Sequence, residues 1–237
     1  MNARPIGPVT IVDGHVHCRP GFDPCRVLSA ALAHTDRHAG RLGVQEHDTI
    51  LMLAEATGED AFERLAGADA PIGRWRFAAT AERVVLRAER DDGRTLRLVQ
   101  GRQWTCERKL EVLTLASGCR EPEGLRDGLP VREAIEIGLA AGALVTLPWG
   151  FGKWTGDRRA TMLGLLEAYG DRIIIGDSAG RPAGLTDRVL TRAEHAGIPI
   201  LPCTDALPIP SHETRSGRYG LWIDGTAPPG GVVACLS

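Results

Sequence analysis

Short apolar runs of strand length alternate along this chain with stretches whose apolar residues recur at helical spacing. Residues 9–12 and 49–54 are dominantly apolar runs, the pattern of strands buried on both faces. Between them Val27, Leu28, Ala31 and Leu32 mark a helix over 25–39, closed by Gly40. A short helix through Leu65 follows the second strand. The middle of the chain is β-type: 74–80, 84–89 and 95–99 read as strands, and the turn at 90–94 makes the last two a hairpin. One face of that hairpin is polar, so it is expected as an insertion around 74–100 that covers an edge or the bottom of a larger sheet. Residues 103–105 and 110–115 supply further strands, and 117–127 reads as a loop. Glu111 is either an inward carboxylate or a residue at that strand's exposed entry.

From Pro130 the pattern repeats every 28 or so residues: a helix, a closing glycine (Gly142, Gly170, Gly197), a strand and a polar loop. The spacing predicts helices over 130–141, 158–169 with Asp157 as N-cap, and 185–195, followed by strands over 143–147, 172–175 and 198–201. Such units build parallel strands with right-handed crossovers, and a chain composed largely of them is expected to close into a TIM-like β/α barrel forming one domain over 1–237.

The polar residues gather where these strands end. Asp13, His15 and His17 alternate after the first strand, so an extended backbone would send all three to one face. Two imidazoles at that spacing suit one divalent ion or two adjacent ones, with Asp13 as a further ligand or as the partner that fixes a tautomer. Glu55 ends the second strand, or caps the helix after it. Aligning the repeats on their glycines puts Asp177 and Asp205 at matching positions, with Trp149 in that place in the first repeat. The loop 148–159 combines Trp149, Trp154, Lys153 and Arg158 with three glycines, and resembles an anion-binding lid without the spacing of a P-loop. Arg181, Arg215 and His212 lie in two other rim loops. His34 and His38, four apart on the first helix, read as a solvated face.

Composition narrows the field. A formal net charge of −2, no basic run and few aromatics give no footprint for nucleic acid or anionic membranes. No stretch approaches the ~20 apolar residues of a spanning helix, and the first nine residues lack the apolar core of a signal peptide, so a soluble cytoplasmic chain is expected. Six scattered cysteines without a Cys-x-x-Cys read as reduced, mostly buried thiols.

Asp13-Gly14-His15-Val16-His17 resembles the first motif of the PHP (polymerase and histidinol phosphatase) family, and Thr204-Asp205-Ala206 resembles its closing Ser-Asp-Ala-His. The resemblance implies a distorted seven-stranded β/α barrel that binds divalent ions and hydrolyses phosphoesters, with His15, His17 and Asp205 as ligands. Three positions depart from the family pattern: Leu207 replaces the closing His, Gln103 a bridging Glu, and Pro148-Trp149 an Ala-His-Pro segment.

Two functions follow as expectations. One is a metal-dependent hydrolase of phosphoesters or other small anionic molecules, carrying one or two ions of Zn, Mn or Fe. Its ligands come from His15, His17, Asp205, Asp13 and Glu55. Asp177 is the general base, Lys153 and Arg158 stabilise the anion, and Trp149, Trp154, Arg181 and Arg215 bind substrate. The other is a degenerate barrel that binds an anionic ligand without turnover, or serves as a subunit of a larger assembly.

Overall fold

The computed structural model describes residues 5, 7–227 and 231, so Cys235 and most of the first eight residues lie outside it. Eleven strands form two open sheets. The first sheet contains β1 (Val9–Val16), β2 (His47–Leu53), β3 (Trp75–Ala79), β4 (Val85–Arg90), β5 (Thr95–Val99) and β11 (Leu221–Asp224), in the order β11-β1-β2-β5-β4-β3. The second contains β6 (Gly101–Thr105), β7 (Glu111–Leu115), β8 (Leu144–Pro148), β9 (Ile174–Ser178) and β10 (Ile200–Cys203), in the order β10-β9-β8-β7-β6.

The expected seven-stranded TIM-like barrel is therefore not formed. β8, β9 and β10 are parallel, as the repeat predicts, but β6, β7 and β8 pair antiparallel, and β11 runs antiparallel to β1. The 84–99 hairpin is not an appendage either. β5 pairs parallel with β2, so the hairpin continues the first sheet. Three apolar rows on β4 and β5, Val85–Val99, Leu86–Leu98 and Ala88–Leu96, thereby join the core instead of covering it.

Each sheet has helices on its outer face. α1 (Pro24–Leu42) and α2 (Ala61–Ala66) pack on the first, where Leu28, Leu32, Phe62 and Leu65 meet Leu51, Leu53, Trp75 and Leu98. α3 (Val131–Ala140), α4 (Gly156–Tyr169) and α5 (Arg188–Ala196) pack on the second. Between the sheets lies a shared apolar layer built from Val12, Ile50, Met52, Val99, Leu113, Leu115 and Leu201. Alternation along β2 explains why its run is apolar throughout: Ile50 and Met52 face that layer, Leu51 and Leu53 the helices.

Helix ends follow local chemistry with two corrections. α1 passes through Gly40 and stops at Gly43, whose φ of 77° is the left-handed cap conformation. A mid-helix glycine costs about 1 kcal/mol, too little to end a helix whose next apolar residue, Leu42, packs against Val9, Ile11 and Ala39. α4 starts at Gly156 after Thr155, so Asp157 sits in its first turn and is not the cap. Asp187 does cap α5, accepting from the Val189 and Leu190 amides. Among the described residues no helix is long and apolar enough to cross a membrane, and the five described cysteines are unpaired, with Cys18, Cys106 and Cys203 buried.

The sheets meet at two seams, each at a glycine. At the first, a Cβ on Gly14 would fall inside the Leu201 side chain, which reaches across from β10. That side chain packs on Gly14, and a backbone bond from Asp205 N to His15 O at 2.9 Å joins the strand ends. At the second, the chain passes from β5 to β6 through Gln100, and a Cβ on Gly101 would lie 2.5 Å from the Leu53 carbonyl. Glu55 pairs there with the β6 backbone, donating to Gly101 O and accepting from Gln103 N. Gly14→Ala is expected to destabilise the fold by about 1–3 kcal/mol, the usual range for overpacking. Urea unfolding checks this, and an unchanged midpoint would show that Leu201 moves aside freely.

Candidate metal centre

The first seam carries the site. His15 lies near the end of β1, His17 just beyond it, and Asp205 just beyond β10. His15 Nε2 and His17 Nε2 are 2.9 Å apart, and Asp205 Oδ1 is 3.7 Å from each. Gln103 Oε1, from β6, approaches His15 Nε2 at 3.0 Å. Both histidines are buried, whereas Asp205 is 23% exposed and forms the open side.

These three residues could hold a metal ion. With metal–nitrogen bonds of ~2.0–2.1 Å, two nitrogens at this separation subtend an angle of about 90° at a shared ion. The chemistry of the donors fits as well. Burial pushes His15 down to about 4, which keeps the imidazole in its neutral, ligating form. Burial pushes the Asp205 carboxyl up, but its neighbours His15, His17, Lys153 and Arg19 outweigh it and hold the group below the usual carboxylate range. Asp205 also sits at φ 48°, in the left-handed region that Asp and Asn enter more readily than most residues.

The remaining predicted residues are placed elsewhere. A register shift between Asp13 and Val16 breaks the alternation that would send Asp13 to the histidines' face. Its carboxylate instead accepts from Thr204 N and Oγ1 and from Gly217 N. Burial pushes Asp13 up to about 6, against the pull of those donors. Glu55 accepts from Phe62 N at 2.8 Å, in the first turn of α2, which makes it the helix-terminal carboxylate of the two readings. Asp177 cannot serve as a free base, because both its oxygens take a guanidinium bond of 2.7 Å from Arg181, and Tyr219 donates to one of them. Ser178, its neighbour on β9, is the residue whose side chain reaches Asp205, so alternation sends Asp177 to the other face of the strand.

The 148–159 loop is not the expected lid. Trp149 is buried and donates to Asp187 Oδ2, Trp154 is buried in the core under α4, and Arg158 donates to the backbone carbonyls of Arg108 and Gly152. Lys153 is the exception. It pairs with Glu111, which is inward and only 13% exposed, and its charge reaches Asp205. His212 is buried, its Nδ1 accepting from Leu207 N.

Two participants carried no signal in the sequence. Glu59 Oε2 lies 3.4 Å from His17 Nδ1, and Glu59 Oε1 accepts from Arg19 at 2.9 Å. Burial pushes Glu59 up, but the His17 bond, the Ala56 amide and the charges of His17 and Arg19 outweigh it and hold it at about 2. A carboxylate on the outer ring nitrogen fixes the tautomer that leaves Nε2 free to ligate. Separated by 42 positions, Glu59 and His17 share no local pattern. His15 has no such support, since its Nδ1 is buried without a partner among the described residues.

No protein-family model matches the chain, and no curated protein matches it.

Asp205→Asn keeps a residue suited to φ 48° but removes the anionic ligand, so circular dichroism should be unchanged while metal affinity falls at least about tenfold. A variant that retains metal would remove Asp205 from the site. Glu59→Gln is expected to weaken metal binding by about 10–100-fold through His17. Titration against a chromophoric chelator reads this directly, and an unaltered affinity would make Glu59 a partner of Arg19 alone.

Proposed function

We propose that the chain is a metal-dependent hydrolase acting on a phosphoester or another small anionic molecule. The observation that carries this reading is the meeting of His15, His17 and Asp205, from the two ends of the chain, at an edge open to solvent on the Asp205 side. The likeness of 13–17 and 204–206 to PHP motifs supports it. A single group of three donors among the described residues favours one ion, from Zn, Mn or Fe, over two.

His15, His17 and Asp205 hold the ion, and Glu59 orients His17. A bound divalent ion supplies Lewis-acid activation of water, the function left open by an Asp177 already bonded to Arg181. Lys153 and Arg19 set positive charge around the carboxylate ligand and oppose the negative charge of an arriving substrate. The pairing of Asp177 also favours a second reading, a protein that binds metal and an anion without turnover.

Protein purified without chelator should contain close to one equivalent of Zn, Mn or Fe and hydrolyse an aryl phosphate, with both properties lost in His15→Ala. Less than about half an equivalent, with no hydrolysis after metal is added, would sink the hydrolase. Full metal content with no turnover of an aryl phosphate or an amide would select the binding protein.

A further inference from the structure

A cleft of about 500 Å³ adjoins the metal centre, within the size range of small-molecule sites. Ser178 and Thr204 line it on the side of Asp205: Ser178 Oγ donates to Asp205 Oδ2 at 3.3 Å, and Thr204 is the preceding residue. Its other walls carry three arginines, Arg181, Arg215 and Arg218, and no carboxylate.

The three arginines are not equivalent. Arg181 is neutralised by Asp177 and also donates to Leu185 O. Arg215 and Arg218 have no acidic partner among the described residues; only their backbone atoms make hydrogen bonds, within the 212–218 turn and to Thr204 Oγ1 and His38. Some surface arginines are paired, as Arg26, Arg64, Arg74 and Arg94 are with Glu213, Asp60, Asp91 and Asp36, and others, such as Arg41, Arg188 and Arg192, are not; what sets Arg215 and Arg218 apart is that two such guanidiniums line one cleft. Two uncompensated guanidiniums in a concave wall concentrate positive potential there, and their forked donors match the oxygens of phosphate or carboxylate. Tyr219 and Pro182 give the same cleft apolar surface.

We infer that this cleft is an oxyanion site, in which Arg215 and Arg218 hold the phosphate or carboxylate of a small organic anion and Tyr219 and Pro182 contact its apolar body. As the substrate site of the hydrolase, the cleft rests on the reading above and names its substrate class: an organic anion whose second polar group reaches Asp205. As an anion site it stands without the metal.

Titration calorimetry in excess chelator, with phenyl phosphate and inorganic phosphate as probes and phenol as the neutral control, separates these. Both phosphates should bind and phenol should not. Arg215→Ala/Arg218→Ala should weaken phenyl phosphate at least about tenfold, the scale of one charge-assisted bond, with thermal unfolding unchanged because neither guanidinium supports a neighbour. The charge-matched control Arg64→Ala/Arg74→Ala should leave binding intact. Absent binding to the unmodified protein, or equal binding by the two double variants, overturns the oxyanion site. Arginine-dependent binding by a protein that takes up no metal keeps the anion site and removes the hydrolase. Stoichiometric metal without arginine-dependent binding does the reverse.

Discussion

The Asp13 carboxylate ties the two halves of this molecule together. It leaves β1 and accepts from Thr204 N, Thr204 Oγ1 and Gly217 N, binding the first strand to the end of β10 and to the 212–218 turn at one point. Thr204 precedes Asp205, whose own amide bonds His15 O. The position of the Asp205 carboxylate against the two imidazoles is therefore set by hydrogen bonds on both sides of it. Burying a carboxylate is costly unless its oxygens are satisfied, and here the donors that satisfy it are the ones that close the seam. The same clamp brings the 212–218 turn, with Arg215 and Arg218, beside the metal centre.

The opposite side of the site is held by a buried charge network. Glu59 joins His17 to Arg19, Arg19 reaches Ala206 O, and Arg102 and Arg120 bond the Glu59 carbonyl. Arg120 also meets Glu55, which in turn caps α2. Charges this deep persist only when each is paired, so the network fixes the loop carrying Glu59 more firmly than apolar contacts of a short helix would. The result is a graded field: compensated ions behind the histidines, a partly open carboxylate at the edge, and unpaired guanidiniums in the cleft outside.

Local pattern carried the elements well. The helical spacing of α1, the apolar run of β2 and the glycine-closed units behind α3, α4 and α5 are properties of neighbouring residues, legible because periodicity and backbone conformation act over a few positions. The pairing of His15 with His17, and the approach of Asp205 to both, were also within reach of the strand-end pattern. The sequence by itself thus determined where strands and helices form and which side chains end them. What it left to tertiary structure was which strands pair. Gly14 admits Leu201 and Gly101 admits the Leu53 carbonyl, and those two contacts, between residues far apart in the chain, set where the sheets meet, while antiparallel pairing of β6, β7 and β8 replaces the all-parallel order to which the repeats pointed. The same holds for charge: the repeat marked Asp177 and nothing marked Glu59, yet the first is bonded to Arg181 and the second supports His17, because a carboxylate's role is set by the partner that folding brings to it.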